Sequence, residues 1–120
     1  SMHKDHEATY RIVKDAQFYA GLPGFERPLP AHFAAGPWYA ENWEDPTGFH
    51  PYRYVEVSED GFALWEKAIS LHWFVTGSKS FEYMKYYTHL MSVRGIEARR
   101  QRAQAFDCEA LAKRIVSDSF

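Results

Sequence analysis

Between Phe62 and Val93 the apolar positions recur at three- and four-residue intervals, the period of an α-helix. Phe62, Trp65, Ile69, His72 and Trp73 form one stripe on a helical projection, and Leu64, Ala68, Leu71 and Val75 form an adjoining one. Together they cover about half of the circumference, more than a surface helix needs. A largely buried helix is therefore expected, with Ser58 as its N-cap and Gly77 just past its end. A competing hairpin reading turns at Glu59-Asp60-Gly61, but the helical period persists beyond Trp65 and favours the helix. After Thr76-Gly77-Ser78 a second helix is predicted from Ser80. Phe81, Tyr83, Met84, Tyr87, Leu90 and Met91 make its apolar side, and Glu82, Lys85, His89 and Ser92 its polar side. Two helices with so short a link pack as a pair.

The same spacing predicts a helix from Thr9 to Ala20, with Ile12, Val13, Ala16, Tyr19 and Ala20 as its apolar residues and Gly21 as its stop; a strand at 9–13 is the alternative. Residues 51–57 alternate as a strand, Arg53, Val55 and Val57 on one face and Tyr52, Tyr54 and Glu56 on the other. Its partner is expected at 37–43, where Trp38-Tyr39-Ala40 reads as a short strand, or near the N-terminus. Residues 96–105 are rich in helix formers, and the helix from Ser80 is read as ending or bending at Gly95. A last helix is expected after Asp107 as N-cap, with Cys108, Leu111, Ala112, Ile115 and Val116 buried. Residues 21–51 hold all six prolines and so resist long regular elements. They also carry Leu22, Phe25, Leu29, Phe33, Trp38, Tyr39, Trp43 and Phe49, too many large apolar groups for a linker. They are expected to form an ordered loop over the helices. The fold class is thus α+β: a mainly helical single domain of three to four helices, with a small antiparallel sheet and a long Pro/Gly/aromatic-rich loop. Residues 1–7 are expected to fray, with Ser1 read as a cloning remnant, and 8–120 to form one compact domain.

Length and charge narrow this little. At 120 residues the chain suits one core. The net charge of −2 names no partner, but residues 1–78 carry 6 Lys/Arg against 11 Asp/Glu and residues 79–120 carry 8 against 5. The single cysteine, Cys108, excludes an internal disulfide and reads as a small core residue. No apolar run approaches about 18 residues, so no membrane span is expected, and no signal-peptide core is present. The expected compartment is the cytoplasm.

Phosphate-loop, dinucleotide, zinc-protease, paired-cysteine and serine-elbow motifs are all missing from the sequence. No cofactor or metal site is expected. The Thr76-Gly77-Ser78 link invites comparison with a helix-turn-helix, but the helix after it is tyrosine-rich and carries few base-reading side chains. Aromatic side chains, 18% of the chain, supply contact area with a polar tip. They meet acids in 36–52, where Trp38, Tyr39, Trp43, Glu41, Glu44 and Asp45 form a candidate protein-binding loop suited to a basic surface. The leading expectation is a small non-enzymatic protein-binding domain: an inhibitor, an immunity-type protein or a phage or plasmid accessory factor. The first alternative is nucleic-acid binding through Arg94, Arg99, Arg100 and Arg102, since arginine matches phosphate oxygens. The second is a small enzyme pairing His50 with a nearby carboxylate. Either a monomer or a homodimer fits.

Overall fold

The computed structural model describes residues 3–34, 36–44 and 47–113, apart from the side chain of Leu111. The fold is α+β, with four helices and a three-stranded antiparallel sheet: α1 (Lys4–Gly21), β1 (Trp38–Ala40), β2 (Arg53–Glu56), α2 (Glu59–Ile69), α3 (Trp73–Gly77), α4 (Tyr83–Ala98) and β3 (Ala103–Cys108), then a short 3-10 helix at Ala110–Lys113. The strand order is β1-β3-β2, so the last strand in sequence is the central one. The chain divides into two units, Pro51–Phe106 and the remainder. β3 crosses that boundary.

In Pro51–Phe106, Ser58 caps α2 as its sequence requires: its Oγ accepts from the Gly61 amide at 3.1 Å, and Glu59 and Asp60 occupy the acidic first turn. The predicted single helix from 58 to 77 is broken. Leu71 and His72 donate to the carbonyls of Ala68 and Ile69, a tightened last turn, and α3 starts afresh at Trp73. The break has a packing reason. On an unbroken helix Val75 would share the stripe of Leu64 and Leu71, which is exposed. The new start instead buries Val75 and brings Phe74 edge-on to Tyr83, with centroids 5.3 Å apart. Phe81 continues this cluster to Tyr83 and Tyr86.

The expectation that the first helix is largely buried does not hold for α2, which has no buried residue. Phe62, Trp65 and Ile69 are half-buried, and Leu64, Ala68 and Leu71 of the second stripe are exposed. The apolar side read for the second helix is the inward side of α4: Met91 is buried, and Tyr83, Met84, Tyr87 and Leu90 are half-buried. Its start is Tyr83 rather than Ser80.

α4 does not stop at Gly95. It runs through that residue to Ala98, where Arg99 takes the left-handed conformation at φ 56°. The Arg100 amide donates back to the Gly95 carbonyl at 2.8 Å, and the Arg99 amide to Ile96 at 3.1 Å, the two bonds of a Schellman stop. The chain then presses across the helix. A Cβ on Gly95 would stand 2.7 Å from the Gln101 carbonyl and 2.8 Å from both the Arg100 carbonyl and the Arg102 Cα. Residues 103–108 therefore run as a strand, not as the predicted continuation of a helix. Tyr54 pairs with Ala105 and Glu56 with Ala103 across β2 and β3. Both alanines are buried, and small side chains suit the close approach of α4 to this sheet. The predicted helix after Asp107 is likewise replaced: Asp107 and Cys108 end β3, both buried, and Ile115 and Val116 lie outside the described residues. The partner of β2 is β3, not the expected strand at 37–43 or the N-terminal segment; β1 lies on the other side of β3.

In the other unit α1 begins at Lys4, earlier than its predicted cap at Thr9. The stripe that meets the rest of the unit is polar. Gln17 Nε2 donates to the carbonyls of Ala34 at 2.8 Å and Gly36 at 2.5 Å, Tyr10 packs on Tyr39, and Lys14 bonds Glu109. The predicted apolar stripe is turned outward: Ile12, Val13 and Tyr19 are exposed. The loop carbonyls need donors, and Gln17 supplies them. Arg27 does the same for the turn after α1, reaching the carbonyls of Tyr19, Leu22 and Leu29.

Two substitutions test the turn after α4. Gly95→Ala forces a Cβ into backbone and should destabilise the protein by about 1–3 kcal/mol in urea titrations, although alanine is the better helix former by about 1 kcal/mol. Arg99→Gly relieves a left-handed residue and should stabilise it by about 0.5–1 kcal/mol in the same assay.

Candidate functional site

The acidic-aromatic loop is partly structural. Tyr39 Oη donates to Glu109 Oε1 at 3.1 Å, the oxygen that Lys14 Nζ also reaches at 2.7 Å. Burial and this hydrogen bond push the Tyr39 phenol up. The hydrogen bonds from Lys14 and then Tyr39 hold the Glu109 carboxyl below the usual carboxylate range. A phenol held protonated in this way is a clamp rather than a base, tying α1 and β1 to the segment after β3.

Trp43, Glu41 and Glu44 are half-buried. Glu44 Oε2 is buried without a hydrogen-bond partner among the described residues, 3.9 Å from His6 Nδ1. Asn42 bridges the same region, its Nδ2 lying 3.1 Å from His6 Nδ1 and its Oδ1 accepting from the Glu44 amide. Asp45 lies outside the described residues. Of the loop's candidate rings, Trp38 presents most surface, at 40% exposure. The structure thus brings Tyr39 to Glu109 and Glu44 to His6, and leaves Trp38 as the loop's outward aromatic.

His50 meets a carboxylate through its backbone. Its amide donates to Asp107 Oδ2 at 2.9 Å, while the residue itself is exposed. Asp107 is buried and also accepts from the Cys108 amide at 2.8 Å and from Lys113. Burial works to raise its pKa, but Lys113 and the two amides outweigh burial and lower it. No group of three or more His, Cys, Asp or Glu side chains fit to hold a metal is found among the described residues.

Three of the four arginines are partnered by carboxylates within Pro51–Phe106. Arg94 Nη1 bonds both oxygens of Glu97 at 3.0 and 2.8 Å, and Glu97, also bonded by Tyr54, has its pKa lowered, first by Arg94 and then by Tyr54. Arg100 pairs with Glu56 at 3.2 Å. Arg102 pairs with Glu59 at 2.8 Å and lies over the Phe62 ring, 4.2 Å from its centroid. Three of the four charges are matched by carboxylates, and Arg99 serves as the left-handed stop of α4.

The surface that sequence reasoning assigned to the core is at the α2–α3 junction. Leu71 is 84% exposed and Trp73 is 81% exposed, and Leu64 of α2 is exposed as well. For Leu64 and Leu71 the signal was present as the second apolar stripe, which made the helix wider than one face can bury; Trp73 was read on the first stripe, with the half-buried Phe62, Trp65 and Ile69. The residues Lys14, Glu109 and Asp107 were missed as a site because the contacts join distant positions without a motif.

No helix among the described residues is long and apolar enough to cross a membrane. Comparison with protein-family models, with curated proteins and with solved structures finds no match for this chain.

The Lys14–Glu109–Tyr39 cluster makes a pH-dependent prediction. Because the Glu109 pKa is lowered on folding, its contribution is complete above the ordinary value of 4.5 and is lost as pH falls through the lower folded value. Glu109→Gln should lower Tm by a few degrees at neutral pH. That gap should close in acid, as read by thermal melts of both proteins across the acidic range.

Proposed function

We propose that this protein is a small protein-binding domain whose contact surface is centred on Trp73 and Leu71. The observation that carries the reading is the exposure of these two side chains, two residues apart, on a segment that buries Val75 and sets Phe74 against Tyr83. Soluble domains seldom hold several large apolar side chains together in water without use. An exposed indole on a braced turn is a typical interface anchor, because it fills a pocket at low entropic cost. The partner this surface fits is a protein presenting an apolar pocket wide enough for an indole. Trp38, with Glu41 nearby in the loop, offers a second and smaller contact in the other unit.

The test is a capture from lysate of the source cells, followed by calorimetric titration of the purified partner. Trp73→Ala should weaken binding by at least about tenfold, as losing an interface anchor does, while leaving Tm unchanged. Trp38→Ala should have the smaller effect. Full affinity in Trp73→Ala would move the contact away from this junction. Binding that is steeply salt-sensitive and lost in an Arg99→Ala variant would favour the nucleic-acid alternative.

A further inference from the structure

α1 binds its own unit through its polar stripe and leaves its apolar stripe exposed, except that Tyr19 at its end also packs on Phe25. Ala8, Ile12, Ala16 and Tyr19 follow one another along this outer side, with Val13 beside them. Ile12 is 68% exposed, and Val13 and Tyr19 are exposed with it. One flank of the stripe carries Arg11 and Asp15, four residues apart. Neither has an ion pair or hydrogen bond among the described residues.

We infer that this face is the contact between two copies of the chain, with the two α1 helices packed antiparallel about a two-fold axis at Ile12. Charge complementarity identifies the occupant. Such an axis sets Ile12 on Ile12 and Ala8 against Ala16 of the other copy, where small side chains let the helices approach. It also brings Arg11 of each copy beside Asp15 of the other, so two unmatched charges become two ion pairs by symmetry. Asp5 of each copy comes level with the Tyr19 hydroxyl of the other. A parallel pair would instead set the Arg11 and Asp15 flank against the Val13 flank of the other copy, with no ion pair formed, and would align the helix dipoles. An 18-residue helix is about 27 Å long. The interface is therefore small, and the dimer is a concentration-dependent one. This inference stands apart from the Trp73 surface and does not rest on it.

Sedimentation equilibrium of the full chain, from low micromolar to near-millimolar concentration, tests it. The average mass should rise from 14.0 kDa toward twice that value. Ile12→Glu should stay at the monomer mass throughout, with the thermal transition of the dilute protein unchanged because the position is exposed. Arg11→Asp alone should weaken association by about tenfold, and Arg11→Asp combined with Asp15→Arg should restore it. A wild-type mass fixed at the monomer value would overturn the proposal, as would association that survives Ile12→Glu. A monomeric chain that sediments with anionic lipid vesicles, and loses this in Ile12→Glu, would assign the stripe to a membrane surface and overturn it as well.

Discussion

Where the chain leaves α4 it reverses within a few residues, and the reversal is possible because Gly95 has no side chain. The backbone of residues 100–102 lies where a Cβ would be. Everything after it depends on that approach. Val57 donates to the Arg102 carbonyl at 3.0 Å, Ala103 and Ala105 take their register with Glu56 and Tyr54, and β3 becomes the central strand. The arginines around the turn, Arg100 and Arg102, are then placed to meet Glu56 and Glu59. Their charge is used to hold the turn against β2 and the start of α2.

The other unit is tied by a set of long-range polar contacts alongside its ring contacts. Glu109 gathers Lys14 and Tyr39, Asp107 gathers Lys113 and the amides of His50 and Cys108, and Gln17 satisfies two loop carbonyls. Each such bond contributes little net free energy, about 1 kcal/mol, but leaving a buried partner unmade costs more. This explains why α1 faces inward with Gln17 and Lys14 while Ile12 remains in water. Hydrogen-bonding demand from the loop decides the rotation of the helix, and its apolar stripe is left available.

Local chemistry was legible in the sequence where local rules decide the outcome. The Ser58 cap, the inward side of α4 from Tyr83 to Met91, and the strands at 38–40 and 53–56 all follow from spacing and capping. Residues 96–108 were misread because their helix propensity is real but overridden: the backbone of 100–102 lies against Gly95, and the following segment pairs with β2. The same holds for the break after Ile69, which no proline or glycine marks and which burial of Val75 explains. The candidate loop was legible as aromatic and acidic. The sequence did not distinguish Trp38, which is outward, from Tyr39, which is clamped to Glu109. Nor did it show that Leu71 and Trp73, which share the pattern of a core helix, lie outside.

The account's central claim is that a braced turn holds Trp73 in water, ready for a partner. The most direct measurement is acrylamide quenching of a variant in which Trp73 is the sole tryptophan, the other three being replaced by phenylalanine. The account predicts water-like emission and quenching close to that of free indole, with the fold retained by circular dichroism. Blue-shifted emission that acrylamide scarcely quenches, in dilute protein without a partner, would show that Trp73 belongs to a core and would contradict the proposed surface.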